Sequence, residues 1–179
     1  MPYTLAMTEA EILHGCKNGD PRAQKQLYDR YKRAMYTVCY RITGDFESAN
    51  DTLQEAFVKI FTHLDQFRQE STLGAWIKTI VVRTALTKIR KKVTLEPIDN
   101  NAGLPDQALR WDHHLDADYL EKAILALPEG YRAVFLLIEV EGYGHKEVAE
   151  MLQISEGTSK SQLFHAKKRL RESLQKYGY

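Results

Sequence analysis

The sequence predicts an all-α protein: two small helical domains joined by a flexible acidic linker, the C-terminal one a helix-turn-helix. Three observations carry this. Apolar residues recur at intervals of three and four along most of the chain, and no alternating run bounded by turn residues suggests a strand. That periodicity lapses between about residues 93 and 112, where Pro97, Pro105 and the Asn100, Asn101, Ala102, Gly103 cluster fall. Charge is segregated along the chain, although 25 basic and 24 acidic residues nearly cancel to +1.

The elements follow in order. Asp20 before Pro21 is a helix N-cap with proline at the first helical position, and Leu27, Tyr31, Ala34, Val38 and Ile42 then repeat at helical spacing up to Gly44. Asp45 opens a second helix with Ala49, Leu53, Phe57, Ile60, Phe61 and Leu64 on one face. Residues 66–72 are polar and read as a loop. Leu73, Trp76, Ile77, Ile80 and Val81 begin a third long helix that ends in the basic run 88–92. These elements define a first domain over 8–92, with a linker at 93–114. In the second domain, 115–179, helical spacing resumes through Leu115, Tyr119, Leu120, Ala123, Ile124 and Leu127. Pro128 starts a further helix that Gly142 closes, and two more elements follow at 145–153 and from 155 onward.

Composition excludes several classes. At 179 residues with 44% hydrophobic side chains, the chain has enough apolar mass for real cores. No apolar run approaches the roughly 20 residues of a membrane span, and MPYTLAMTEAEIL lacks the layout of a signal peptide, so no membrane insertion is expected. Cys16 and Cys39 make no disulfide framework and no CxxC pair, which fits a reducing, cytoplasmic setting.

The charge blocks point to a polyanion. Residues 78–92 hold six bases and no acids, and 155–179 six bases and two acids. Residues 45–70 hold six acids and two bases, and 96–121 seven acids and one base. Two basic helices set apart by acidic stretches suggest two separate contacts with nucleic acid.

The sharpest motif is YGHKEVAEMLQISEGTSKSQLFHAKKRL at 143–170, a short helix, a turn and a longer basic helix. A helix-turn-helix has this layout, with its second helix in the major groove. At about 100° per residue, Ala166, Leu170 and Leu174 cluster beside Leu163 as the core face. Thr158, Ser161, Gln162, His165 and Lys168 then point outward, offering groups suited to base edges and phosphates. Gln162 suits an adenine edge. Lys160, Lys167, Arg169 and Arg171 flank this arc as phosphate contacts.

This segment resembles the promoter −35-reading domain of extracytoplasmic-function sigma factors of bacterial RNA polymerase. LEKAILALPEGYRAVFLLIEVEGYGHKEVA is similar to that domain's leading helices, including the Leu127, Pro128, Arg132 start. In the first half, NDTLQEAFVKIFTHLDQF resembles the family's core-polymerase-binding helix, and STLGAWIKTIVVRTALTKIRKK its −10-reading helix. The resemblance covers about residues 8–92 and 115–175, in the family's order.

The resemblance implies a factor without catalysis or cofactor of its own, whose partners are core RNA polymerase, promoter DNA and an anti-sigma factor. Asp51, Gln54 and Glu55 match the Asp-x-x-Gln-Glu pattern used against the polymerase clamp helices, and at that spacing they share one helix face. The loop 66–72 corresponds to the family's base-capturing loop, so Phe67, Arg68, Ser71 and Thr72 are candidate −10 contacts, with Lys78, Arg83, Lys88, Arg90 and Lys91 neutralising phosphates. Trp76 reads as core rather than as a stacking platform. For the −35 element the candidates are Thr158, Lys160, Ser161, Gln162, His165, Lys167 and Lys168. The acidic linker is expected to thread a positively charged polymerase channel.

Two departures alter the expected reading. Arg83 and Thr87 stand where the family often has asparagine and aspartate, making this helix more basic. Where the recognition helix usually carries Thr-Val-Lys-Ser-Arg, this chain has Thr158, Ser159, Lys160, Ser161 and Gln162. Ser159 falls on the core side of the wheel, and its hydroxyl is expected to bond back to the Ser155 carbonyl.

Two other readings compete with this one. A stand-alone helix-turn-helix regulator predicts a dimer on palindromic sites, and leaves the acidic patch and the first basic helix unexplained. A helical metalloenzyme could use Asp51 and Glu55, which share a face at i, i+4, but His63 lies eight residues beyond Glu55 with no HExxH-like spacing, and His113 with His114 is no better.

Overall fold

A computed structural model describes residues 7–95 and 117–175, with the side chains of 91–95 outside the description. All regular structure among the described residues is helical: α1 (Glu9–Lys17), α2 (Pro21–Thr43), α3 (Phe46–His63), α4 (Leu73–Leu95), α5 (Ala117–Leu125), α6 (Glu129–Phe135), α7 (His145–Leu152) and α8 (Glu156–Gln175). A 3₁₀ turn, Leu64–Gln66, follows α3, and a π-helical turn, Leu136–Val140, extends α6. The chain separates into two compact units, Met1–Tyr40 with Asp45–Ala85, and Arg41–Gly44 with Leu86–Tyr179.

In the first unit each helix start has a visible cause. The Glu11 backbone N–H donates to Thr8 Oγ1 at 3.3 Å while Thr8 N–H donates to the Glu11 carboxylate at 2.7 Å, a reciprocal capping box that starts α1. Asp20 Oδ1 accepts from the Arg22 N–H at 2.8 Å ahead of α2, and Asp45 Oδ1 accepts from the Ser48 N–H at 2.7 Å ahead of α3. Between α2 and α3 the chain turns at Gly44, whose φ of +82° suits a residue without Cβ. The apolar faces of the four helices meet in one core, with Ile12, Leu27, Ile60, Leu64, Leu73, Ile77 and Val81 fully enclosed. Each such residue contributes roughly 2 kcal/mol by leaving water. The Phe57 ring meets Tyr28 edge-on at 4.8 Å, joining α3 to α2.

In the second unit α6 and the π-helical turn after it bury the continuous run Ala133, Val134, Phe135, Leu136 and Leu137, while Glu129 and Tyr131 stay half-exposed. Arg132, only 4% exposed, explains the leucine-proline-arginine start seen in the sequence. Its Nη1 donates to the Leu125 carbonyl at 2.8 Å and the Leu127 carbonyl at 3.1 Å, satisfying groups that the end of α5 leaves open. Glu147 Oε2 accepts from the Gly144 N–H at 2.8 Å as α7 starts. Gln153, left-handed at φ 58°, ends it. Ser155 Oγ then accepts from the Thr158 N–H at 2.9 Å, capping α8. α8 packs against α5, α6 and α7 at once.

The expected helices 21–44, 45–64 and 73–92 and the helix-turn-helix are all present. α4 continues to Leu95, beyond the expected start of the linker, while the rest of that linker, 96–114, lies outside the described residues. α1 was not anticipated, although Thr8 and Glu11 carried its signal.

Candidate nucleic-acid and docking surfaces

On α3 the buried residues Ala49, Leu53, Ala56, Phe57 and Ile60 fix the helix against the core. Asp51, Gln54 and Glu55 are thereby turned outward and exposed, as their spacing predicted. Lys59 Nζ donates to Glu55 Oε1 at 2.7 Å across one helical turn. The sequence reading did not include Val58, which stands 65% exposed in the same stripe. A large exposed aliphatic among carboxylates has no core purpose and is the kind of contact that a protein partner covers. His63 is engaged locally, its Nδ1 lying 2.8 Å from the Lys59 carbonyl. Among the described residues no three His, Cys, Asp or Glu side chains gather as metal ligands.

The loop before α4 keeps Arg68, Ser71 and Thr72 exposed, and Gln69 turns it with a left-handed φ of 60°. Thr72 Oγ1 also accepts from the Ala75 N–H at 3.3 Å, capping α4. Phe67 is corrected: it is 8% exposed and its ring lies 5.4 Å from that of Trp76. The polar neighbours that marked the loop concealed a core residue, because an aromatic of that size is stabilised more by packing than by solvent exposure. On α4, Trp76, Thr79, Arg83, Thr87 and Arg90 follow at steps of three and four and so form one face. Arg83 and Thr87 are exposed on it, Trp76, Thr79 and Arg90 half-buried; Lys88 is exposed and Lys78 half-buried. Trp76 packs against the core and the Phe67 ring, in keeping with its reading as core, while Thr79 and Thr87 share the spacing of Arg83. Lys91 lies on α4, but its side chain is outside the described residues.

On α8 the outward arc is narrower than the wheel implied. Lys160 and Lys168 are exposed, and Lys160 Nζ lies 2.7 Å from the Glu156 carboxylate. Lys160 holds the Glu156 carboxyl below the usual range. Thr158 is half-exposed, its hydroxyl 2.8 Å from Ser155 Oγ. His165 is half-buried, its ring nearly parallel to that of Tyr131 at 5.8 Å, and the Arg169 guanidinium lies over the same tyrosine at 5.3 Å.

Three expected DNA contacts are corrected. Gln162 is 4% exposed and Ser161 7% exposed, so neither presents an outward polar group. Lys167 is 8% exposed and ion-paired with Glu139 at 3.0 Å, not held for a phosphate. For Gln162 and Lys167 the reason is packing: α8 touches three other helices, so its buried arc extends past the single leucine stripe. Ser161 is short, reaching only one heavy atom beyond Cβ. The Ser159 hydroxyl, finally, lies 2.9 Å from His145 Nδ1, a partner on α7 instead of the local carbonyl.

Comparison with known proteins bears on both units. The family model for Sigma-70 region 2 matches residues 27–94, and that for Sigma-70 region 4 matches residues 117–170. The chain is 28% identical over 172 residues to the ECF RNA polymerase sigma factor SigW of Bacillus subtilis, covering 88% of this chain and 92% of that one. It is 28% identical over 165 residues to the ECF RNA polymerase sigma factor SigM of Mycobacterium tuberculosis, covering 91% and 83%. Its fold is similar to that of the sigma factor RpoE of Bartonella quintana, solved in complex with the anti-sigma factor NepR. The TM-score is 0.53 at 24% identity, over 84% of this chain and 96% of that one. The acidic outward face of α3, the basic face of α4 and the helix-turn-helix thus lie in segments matched by the two models in order, and the chain belongs to the sigma-70 family as an extracytoplasmic-function RNA polymerase sigma factor, a transcription initiation factor and not an enzyme.

Proposed function

We propose that residues 8–92 dock on core RNA polymerase and engage the −10 element, that 93–114 link the domains, and that 115–179 read the −35 element. The observation that carries this is the outward stripe Asp51, Gln54, Glu55 and Val58 on α3, acidic with an apolar end and backed by a fully packed face. Such a stripe suits a basic, partly apolar helical surface of a large partner. Arg68, Ser71, Thr72 and the α4 face through Arg83 and Thr87 would meet the melted −10 strand, where phosphates need cations and unstacked bases need aromatic and polar neighbours. Lys78, Lys88 and Lys91 add positive charge along the same helix, while Arg90 Nη2 donates to the Met151 carbonyl at 3.2 Å. In the second domain Thr158, Lys160 and Lys168, with His165 and Arg169 at the border, form the surface for duplex DNA.

The relative RpoE is described as bound to an anti-sigma factor. We extend that to this chain, with an anti-sigma protein as its regulating partner. No described helix is long and apolar enough to cross a membrane. A cytoplasmic location follows from the proposed work on polymerase and DNA.

The test is binding of the purified chain to bacterial core RNA polymerase, compared with an Asp51→Ala, Glu55→Ala double variant. Tight binding by the wild type that the variant loses supports the docking assignment. Equal binding by both would place the docking surface elsewhere, and no binding by folded, partner-free protein would remove polymerase docking altogether.

A further inference from the structure

Ser159 is the polar residue of α8 most thoroughly removed from solvent, at 0% exposure, and it lies in the first turns of the recognition helix. Its Oγ lies 2.9 Å from Nδ1 of His145, the first residue of α7. A hydroxyl enclosed this way needs a partner, and the one it has comes from 14 residues earlier in the chain. Val148 and Leu152 of α7 and Leu163 of α8 are buried in this unit, and apolar burial resists separation but is indifferent to small rotations. A hydrogen bond of fixed length and direction is not indifferent to rotation. Thr158 and Lys160 flank Ser159 on either side, so any turn of α8 about its axis moves both side chains together.

We propose that His145 and Ser159 are a positioning pair that sets the rotation of the recognition helix, and so which base and phosphate atoms Thr158 and Lys160 meet in a DNA duplex. The proposal rests on the nucleic-acid reading of the second domain. Lys146 and Glu147 on α7 are exposed, and the Glu156–Lys160 ion pair of 2.7 Å sits on the outer side of α8. His145 and Lys146 of α7 also attract the Glu156 carboxylate across the junction, an exposed and non-directional attraction, whereas the Oγ–Nδ1 link is directional and closed to water on its α8 side.

The experiment uses the full chain. A randomised duplex pool is selected on the wild type, and affinities for the selected duplex and for a scrambled duplex of equal length are measured for each variant. Ser159→Val lacks the hydroxyl and Ser159→Thr keeps it, the two introduced side chains being alike in shape. The expected result is that Ser159→Val loses about tenfold in the ratio of selected to scrambled affinity, the scale of one buried hydrogen bond. Ser159→Thr retains the ratio. His145→Phe lowers it as Ser159→Val does, and adds nothing in the Ser159→Val background. Thermal midpoints recorded alongside separate folding from reading, and should Ser159→Val fail to fold, His145→Phe on the half-exposed side of the pair carries the test. A selective wild type with an unchanged ratio in both single variants overturns the positioning role alone. A wild type that selects no sequence overturns the nucleic-acid reading and the pair with it.

Discussion

Lys167 Nζ lies 3.0 Å from Glu139 Oε1, with a tenth of the lysine side chain and a third of the glutamate exposed. The pair ties the middle of α8 to the π-helical turn after α6, inside one unit. It lies between the exposed class of ion pair, which contributes little, and the buried class, whose disruption strands a charge. Lys167→Met is expected to cost about 1–2 kcal/mol in urea unfolding, and Glu139→Gln a similar amount. The double variant should cost less than the two added together. DNA binding separates this from a phosphate contact: Lys167→Met leaves the salt dependence of binding unchanged, whereas Lys168→Ala makes it shallower by about one unit of slope.

Arg132 is the second buried cation of that unit, and its work is done through carbonyls. Arg132→Met removes both donors to Leu125 and Leu127 and leaves those carbonyls short of partners in an enclosed place. A loss of about 2–3 kcal/mol is expected, seen as a lower urea midpoint. Arg132→Lys should recover only part of it, since one ammonium cannot reproduce the fork of the guanidinium.

The helices were largely legible because their boundaries rest on local chemistry. Asp45 and Pro21 mark starts that depend on one or two neighbouring residues, and Gly142 (φ 79°) marks a stop that no Cβ-bearing residue adopts easily. The outward stripe Asp51, Gln54, Glu55 was legible for the same reason, since spacing along one helix fixes which side chains share a face. The errors came where several elements meet. A helical wheel assumes one partner on one side, and α8 has three, so Gln162 and Lys167 were placed outside when they are inside. The polar loop around Phe67 masks the packing demand of its ring. The His145–Ser159 link spans the turn of the helix-turn-helix, and nothing in the local pattern of either residue announces the other.

The two cysteines make a chemical prediction. Burial pushes the Cys39 thiol up to about 12, and raises that of Cys16 as well, with Asp20 adding to the effect there. Both stay protonated in the folded protein at neutral pH, so an aromatic disulfide reagent should react slowly with native protein and rapidly once urea unfolds it. The raised values favour the neutral thiols in the fold. The stability they contribute is fully present below the ordinary thiol range and declines as pH rises from there towards 12, because the unfolded chain loses its protons first. Unfolding midpoints of the wild type should fall across that alkaline window more steeply than those of a Cys39→Ala variant, and parallel curves would refute the assignment.

Val58 gives the most direct test of the docking stripe. It is 65% exposed on α3, between Glu55 and Thr62 on the outward side, so the fold does not need its methyl groups. Replacement by another surface residue should change stability by less than about 0.5 kcal/mol. At an interface the same position is different. An aliphatic at the end of the stripe, one turn beyond Gln54 and Glu55, would be covered by the partner, while the charges beside it orient the approach. Val58→Ala is expected to weaken binding to core RNA polymerase about tenfold, and Val58→Asp more, because a carboxylate buried there would lack a partner. The two kinds of residue should also separate by salt. Raising ionic strength weakens the wild type and Val58→Ala in parallel, whereas the Asp51→Ala, Glu55→Ala variant loses its salt dependence along with its affinity. If Val58→Asp binds polymerase as the wild type does, the stripe is a solvated surface and the docking face lies on another helix.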